Sequence, residues 1–582
     1  MSIFNFSDNE ALGSVVSVDT ATVIVKVDNL EQLRRMQVNR LIALQSSKAG
    51  QHLIGIIQKI TRSIDDASIK IEASAVDDLD VSTPERNLVR IALIGTVIDK
   101  VGKEENVFRR TLETVPEIDA NCFSLEGQRL SSFMRVIANV ADNGRNLSIG
   151  CYTLDETAEA FLNGNRFFQR HAVIVGSTGS GKSWTTARLL EQVADLANAN
   201  AIVFDTHGEY RPLTGEGICH FKIAGPDDLD KGRGLADGVI FLPYWLLGYE
   251  ALTSMFIDRS DMNAPNQAMI ISRTVVEAKK KYLQELKQTD LLANFTIDSP
   301  IPFKLDDIMR DLEQLNTEMV PGARTEKQGD FHGKLSRLIA RLENKRTDRR
   351  LGFLFRGGED TYDFQWLETL CKALVCGRFD REGKAGGVKI LDFSEVPSDV
   401  LPLIVSLVAR IAFVIQQWTE KGIRHPIALF CDEAHLYIPE RVEGGGDVVS
   451  IGTFERIAKE GRKYGVGLVV ISQRPSEVNR TVLSQCNNLI AMRLTNAEDQ
   501  AVVRRLLPDS LGGFSDLLPV LDVGEALIVG DASLLPTRVR IAQPKVKPNS
   551  GTIAFWDIWA LDATGGAVSA AVNNWRRQSL MN

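Results

Sequence analysis

The 582-residue sequence carries no excess of positive charge. Its formal net charge is −8, so a basic coat for nucleic acid is excluded. A nucleic-acid partner would have to be met by positive charge concentrated in a pore or groove. No apolar run is long enough to span a bilayer, and the start, MSIFNFSDNE, lacks the basic-then-apolar profile of a signal peptide. A cytoplasmic location without membrane contact is therefore expected. Cysteine is scarce: Cys122, Cys151, Cys219, Cys371, Cys376, Cys431 and Cys486 are scattered, odd in number, and without a CxxC pair or histidine cluster. That pattern argues against a structural zinc and for buried free thiols. Internal repeats and low-complexity tracts are also lacking. What is present is ordinary for a globular protein, 44% hydrophobic and 24% charged. The chain is too long for one core, so about two to four domains are expected.

Two styles of sequence divide the chain. The first part, GSVVSVDTATVIVKV with HLIGIIQKITRS and VRIALIGTVIDKV, consists of short apolar runs bounded by glycine and polar residues. Val23, Val25 and Val27 share one face, and a small β-barrel over residues 1–145 is predicted. From His171 the strands become continuously apolar: HAVIVG, AIVFD, VKILDF, IALFCDE, GLVVIS, NLIAMRL and EALIVGD. Strands of this kind are buried on both faces, which predicts an α/β fold with a parallel sheet under helices. The predicted core occupies 146–245 and 365–545. A helical insertion without a clear strand separates its halves at 246–364, and 546–582 is a tail.

The most specific signal is GSTGSGKS, Gly176 to Ser183, between the apolar strand AVIV and a helical run. It matches the phosphate-binding P-loop in the context that motif requires. The candidate nucleotide contacts are Gly176, Thr178, Gly179, Ser180, Gly181, Lys182, Ser183 and Trp184. Lys182 would reach the β- and γ-phosphates of ATP, and Ser183 would ligate Mg²⁺. A second acidic site ends the strand IALFCDE. Asp432 would hold Mg²⁺, and Glu433 would polarise the attacking water as the base an ATPase needs. Asp205, His207 and Glu209 in IVFDTHGEY lie beyond a strand end, where open α/β sheets bind ligands. Asp205 or Glu209 would orient water or meet a neighbouring subunit, whereas His207 reads equally as a turn residue. Gln473, closing GLVVIS, is either a γ-phosphate sensor or an ordinary helix-start residue.

GSTGSGKS, DTHGEY, CDEAH and EGRKYGVGLVVISQRPSEV, in this order, resemble the HerA branch of the FtsK–HerA ATPases. The resemblance covers about residues 170–545, and LPVLDVGEALIVGDASLLPTRVRI is similar to the closing strands of that family. It implies a RecA-like core behind a HAS-type barrel, a hexameric ring, and ATP-driven movement of double-stranded DNA through the pore. It also implies a separate effector, either a nuclease such as a NurA-type enzyme or a sirtuin-like NAD hydrolase, serving DNA repair or antiviral defence. No second catalytic constellation is visible in this chain. A ring that mainly scaffolds an effector is the alternative. A conjugative-type pump would want a membrane anchor.

The run FERIAKEGRKYG, Phe454 to Gly465, acquires a meaning in such a ring, where a neighbour's arginine completes each site. Arg456, Arg462 and Arg474 are the candidates. On a helical wheel Phe454, Ile457, Ala458, Gly461 and Gly465 cluster, Arg456 and Lys463 lie opposite, and Arg462 borders the apolar stripe. Arg462 also coincides with the family's EGRK arginine. Action in trans is expected of it, with an ion pair to Glu455 as the alternative. Gly465 suits a helix C-cap. By resemblance alone, Arg170 would serve the nucleotide interface and Arg538 the adenine. Between Arg324 and Arg350 the sequence has a local excess of five positive charges. Leu335, Leu338, Ile339 and Leu342 form an apolar helical stripe there, and Lys334, Arg337, Arg341 and Lys345 share the opposite face. That face would track DNA phosphates or be a solvated or partner-docking surface.

Overall fold

The computed structural model describes residues 3–64, 85–138, 147–321, 325–376, 387–507, 515–551, 553–560 and 567–578. The chain forms two compact units: residues 1–167 with 525–542, and 168–524 with 543–582.

The first unit begins with seven strands: β1 Gly13–Asp19, β2 Thr22–Lys26, β3 Leu41–Gln45, β4 Gln51–Ile64, β5 Glu85–Val101, β6 Glu104–Arg109 and β7 Asn121–Ser124. They pair in the order β2-β1-β7-β3-β4-β5-β6, and β5 returns to β2. Six strands therefore close a barrel, with β6 flanking β5. Closure removes the open edges that would invite pairing with another chain. The turn predicted inside GSVVSVDTATVIVKV falls at Thr20, which takes φ 47° between the paired Asp19 and Thr22. Val23, Val25 and Val27 point into the core beside Leu44, Leu53 and Ile91. Gly55 sits at a register shift in the β4–β5 ladder, where a Cβ would lie 2.4 Å from the Ile91 side chain. Only glycine lets these two strands close that tightly. The helix Gly127–Ala138 then buries Phe133, Met134 and Ile137, and β8 Leu147–Tyr152 pairs with β9 Asp155–Leu162.

The second unit holds β10 Ala172–Val175, β11 Ala201–Asp205, β12 Ile218–Ile223, β13 Val239–Ile240, β16 Val388–Asp392, β17 Ile427–Cys431, β18 Val466–Ser472 and β19 Asn488–Ala491. These run in the order β13-β12-β16-β11-β17-β18-β10-β19, and every recorded pairing among them is parallel. Every residue of β10, β11, β17, β18 and β19 is buried, as their continuous apolar sequences predict. Two edge strands escaped the sequence reading. β12 (ICHFKI) is polar and only partly buried, because it lies towards the sheet edge, and β13 has only two residues.

Three expectations need correction. The segment read as strand-free carries a hairpin, β14 Met319–Pro321 with β15 Glu326–Gln328. EALIVGD is not flanked by parallel partners on both edges. As β20 Glu525–Gly530 it runs antiparallel to β21 Thr537–Ile541, which pairs antiparallel with β8. The six residues between β20 and β21 are too few for a parallel crossover, which needs about a dozen. The helix Leu401–Trp418 is also long and apolar enough to cross a bilayer by length and composition. Yet 72% of it is buried inside its own unit, because it covers the sheet.

His171 links these elements. It precedes β10 with φ 55° and is 3% exposed. The Leu468 N–H donates to its Nδ1 at 2.9 Å, so Nε2 carries the proton and donates to the Ala458 carbonyl at 3.1 Å. Burial lowers its pKa from 6.5 to about 4. A neutral ring is therefore favoured by folding, with stability complete above pH 6.5 and lost as pH falls towards 4. The shift corresponds to about 3 kcal/mol. Urea titrations at pH 7 and pH 4 should show that loss in the native protein and its absence from His171→Asn, which does not titrate and tolerates positive φ.

Candidate active site

The phosphate loop leaves β10 and feeds the helix Lys182–Ala194, whose N-cap Gly181 has φ 111°. A Cβ on Gly176 would sit 2.4 Å from Ser180 Oγ, and one on Gly181 would sit 2.8 Å from Met492 Cε. The loop is held from outside by two backbone bonds, Ser177 N–H to the Arg493 carbonyl at 2.8 Å and Gly524 N–H to the Ser180 carbonyl at 3.0 Å. Its N–H groups are thereby arranged at a helix N-terminus, where anions are favoured. Ser180 Oγ is buried without a hydrogen-bond partner among the described residues.

Lys182 is 8% exposed, and its Nζ lies 3.4 Å from the Ser177 carbonyl. Burial lowers its pKa, while Glu433, Asp432 and Glu209 oppose that shift. Asp432, just past β17, is pushed well above the usual carboxylate range by burial first, then by Glu433, Glu209 and Asp205. Glu433 is raised mainly by burial, against the pull of Lys182 and His207. It stands in the left-handed region at φ 45°, ψ 47°, a strain of about 1–2 kcal/mol that surrounding contacts must offset. Buried carboxylates crowded beside one lysine are short of positive charge, which suits a magnesium–nucleotide complex. Asp432 and the half-buried Ser183 could hold such an ion.

Gln473 accepts a 2.7 Å hydrogen bond from Thr178 Oγ1, so the end of β18 is tied to the phosphate loop. Asp205 is fully buried. Its carboxylate accepts the N–H groups of Glu209 at 3.0 Å and Tyr210 at 2.9 Å, and burial raises its pKa to about 6. It shapes the DTHGEY turn rather than opening onto solvent. Glu209 is half-buried and His207 exposed. Trp184 lies under Lys547, whose Nζ is 5.4 Å from the ring centroid. Residues after β21 also dock here. Glu191 accepts the N–H groups of Lys545 at 2.9 Å and Val546 at 2.8 Å, and the Glu209 carbonyl accepts that of Asn549 at 2.7 Å. No sequence signal marked these tail contacts. Arg170 stands at the amino end of β10, opposite the phosphate loop, and its carbonyl accepts Asn487 N–H. Arg538 belongs to the first unit, where it pairs with Glu525 at 2.7 Å.

The charged run forms the end of the helix Gly445–Tyr464, capped by Gly465 at φ 77°. Phe454, Ile457, Ala458 and Gly461 are buried as the wheel predicts. Glu455 binds Lys459 at 2.8 Å, and Arg474 binds Glu477 at 2.8 Å. Arg462 is exposed, and no hydrogen bond or ion pair of its guanidinium is recorded among the described residues. Arg456 is not merely solvated. Its guanidinium lies 5.1 Å from the Phe413 ring centroid and 3.6 Å from Glu460, because the preceding helix places an aromatic beneath it.

The basic stretch is more fully paired than its composition suggests. Arg324 lies outside the described residues. The helix spans Ser336–Thr347, so Lys334 and Leu335 precede it and Lys334 does not share its face; Lys334 donates to the Asp330 carbonyl at 2.7 Å. Leu338 and Leu342 are buried. Lys345 pairs with Asp399 at 3.1 Å, while Arg337 is 80% exposed and 3.9 Å from Asp261.

The model of the family described as Helicase HerA, central domain, matches residues 147–412. The DNA double-strand break repair helicase HerA of Sulfolobus acidocaldarius is 24% identical over 415 residues, covering 70% of this chain and 71% of the relative. A probable helicase of Methanocaldococcus jannaschii is 27% identical over 430 residues, 70% of this chain and 72% of the relative. The HerA of Pyrococcus furiosus is 24% identical over 450 residues, 72% and 73% of the two chains. With a phosphate loop on a parallel sheet, a paired Asp432–Glu433 at the end of β17 two strands away, and this set of relatives, the chain is a P-loop ATPase that is similar to the HerA helicases over residues 147–412.

Proposed function

We propose that the chain is a Mg²⁺-dependent ATPase that assembles as a hexameric ring, moves double-stranded DNA, and serves a separate effector, either a nuclease or a sirtuin-like NAD hydrolase. The observation that carries this reading is the convergence of Lys182, Asp432 and Glu433 at the phosphate loop, while Arg462 stands exposed and, among the described residues, unpaired. In a ring, where each site borders a neighbour, such a guanidinium can complete the next subunit's site. Lys182 would bind the phosphates, and Ser183 with Asp432 would hold Mg²⁺, which when bound would supply neutralising charge for the transferring group. Glu433 takes a proton from the attacking water, and Gln473 reports the state of the loop through Thr178. Arg337 and Arg341, with Lys334 nearby, offer phosphate contacts without base-reading groups, as a sequence-independent motor requires.

Turnover measured with and without duplex DNA tests this. DNA should stimulate hydrolysis by the native protein. Replacing Lys334, Arg337 and Arg341 together by Gln should remove most of the stimulation and spare basal turnover. An undiminished response to DNA in that variant would move DNA binding elsewhere, and no response in the native protein would overturn the motor reading.

A further inference from the structure

We propose that His435 is a positioning residue that sets the Glu433 carboxylate and ties its placement to the end of β18. This rests on the reading of Glu433 as the base. His435 and Glu433 are each 11% exposed at the side chain, and Nδ1 of the first lies 3.3 Å from Oε2 of the second. That oxygen makes no aligned hydrogen bond with any described residue. The same Nδ1 is 3.3 Å from Ser472 Oγ, which accepts the Arg474 N–H at 3.0 Å and so keeps its own proton to donate. The residue after Ser472 is Gln473, bonded to Thr178 of the phosphate loop.

One ring nitrogen therefore faces two oxygens of opposite demand. With the proton on Nδ1, the imidazole donates to Glu433 and holds it. With the proton on Nε2, Ser472 donates to Nδ1, and the carboxylate is released towards the phosphate side. A neutral imidazole can adopt either tautomer, and burial keeps the His435 pKa below its ordinary value. A shift of β18's last residues, which follows when the loop contact of Gln473 changes, favours one arrangement over the other. The position of the base would thus follow occupancy of the phosphate loop.

The test compares His435→Ala, His435→Asn and His435→Gln for ATP turnover and for binding of a fluorescent non-hydrolysable ATP analogue. The Asn side-chain amide falls where Nδ1 lies, whereas the Gln amide falls where Nε2 lies. His435→Ala should lose about tenfold to a hundredfold in kcat with KM and analogue binding unchanged, as expected of a misplaced base. His435→Asn should recover to within about threefold, and His435→Gln should not. Normal kcat in His435→Ala overturns the proposal, as does an equal loss in the Asn and Gln variants, which marks a packing role. Should the Ala variant fail to fold, the Asn–Gln contrast decides alone. Glu433→Gln run alongside separates the two layers: turnover persisting there sinks the base assignment itself, whereas its collapse beside a normal His435→Ala sinks only the role of His435.

Discussion

Arg462→Ala should bind ATP and assemble normally yet hydrolyse it about 10³–10⁵-fold more slowly, the worth of an arginine supplied in trans to a phosphoryl transition state. The structure makes this sharper than the sequence did. The partners that could have tied an arginine down on its own subunit are taken: Glu455 by Lys459 and Glu460 by Arg456. The last turn of the helix around Arg462 is anchored by buried Ile457, Ala458 and Gly461 and ends at Gly465, so the stem is fixed while the guanidinium reaches outward. Mixing offers a direct check. Arg462→Ala subunits keep their own Glu433, and Glu433→Gln subunits keep Arg462, so some interfaces of a mixed ring contain both wild-type residues. Recovered turnover on mixing two inactive proteins would establish action in trans. Normal turnover in Arg462→Ala would return the guanidinium to the solvated surface.

Glu433→Gln should lower kcat about 10²–10⁴-fold while leaving ATP binding intact, because the amide keeps the side-chain shape but cannot take a proton. Lys182 and Asp432 are untouched, so nucleotide should accumulate on the protein unsplit, which filter binding with labelled ATP would show. This variant also distinguishes the motor from a scaffold. If an effector's activity persists when ATP is bound but not hydrolysed, assembly alone is what the ring provides. If it stops with hydrolysis, movement along DNA is required.

The phosphate loop was legible because its chemistry demands glycine at fixed spacing between an apolar strand and a helix. The strands β10, β11, β17 and β18 were legible because burial on both faces leaves an unbroken apolar run. Val23, Val25 and Val27 were legible because a half-buried strand alternates. What escaped reading was set by neighbours distant in sequence. β12 is polar because it lies near an edge, and β20 reads as one more parallel strand although β21, six residues on, pairs with it antiparallel. Lys334 fits the wheel of its segment, but the helix starts only at Ser336. His435 stood in plain view in CDEAH, yet its place between Glu433 and Ser472 depends on β18, some forty residues later. Arg456 reads as solvated until Phe413 is found beneath it.

The contacts of Lys545, Val546 and Asn549 redraw where the catalytic unit ends. Glu191 is a nearly buried carboxylate on the phosphate-loop helix, and both of its oxygens are satisfied by backbone donors from beyond the last strand. Cutting the chain after Ile541 would leave that charge enclosed with no donor, at a cost of about 1–3 kcal/mol or more, on the helix that begins at Lys182. A fragment meant to keep the nucleotide site intact should therefore extend to Asn549, and one trimmed to the end of its sheets should be a poor measure of what that site can do.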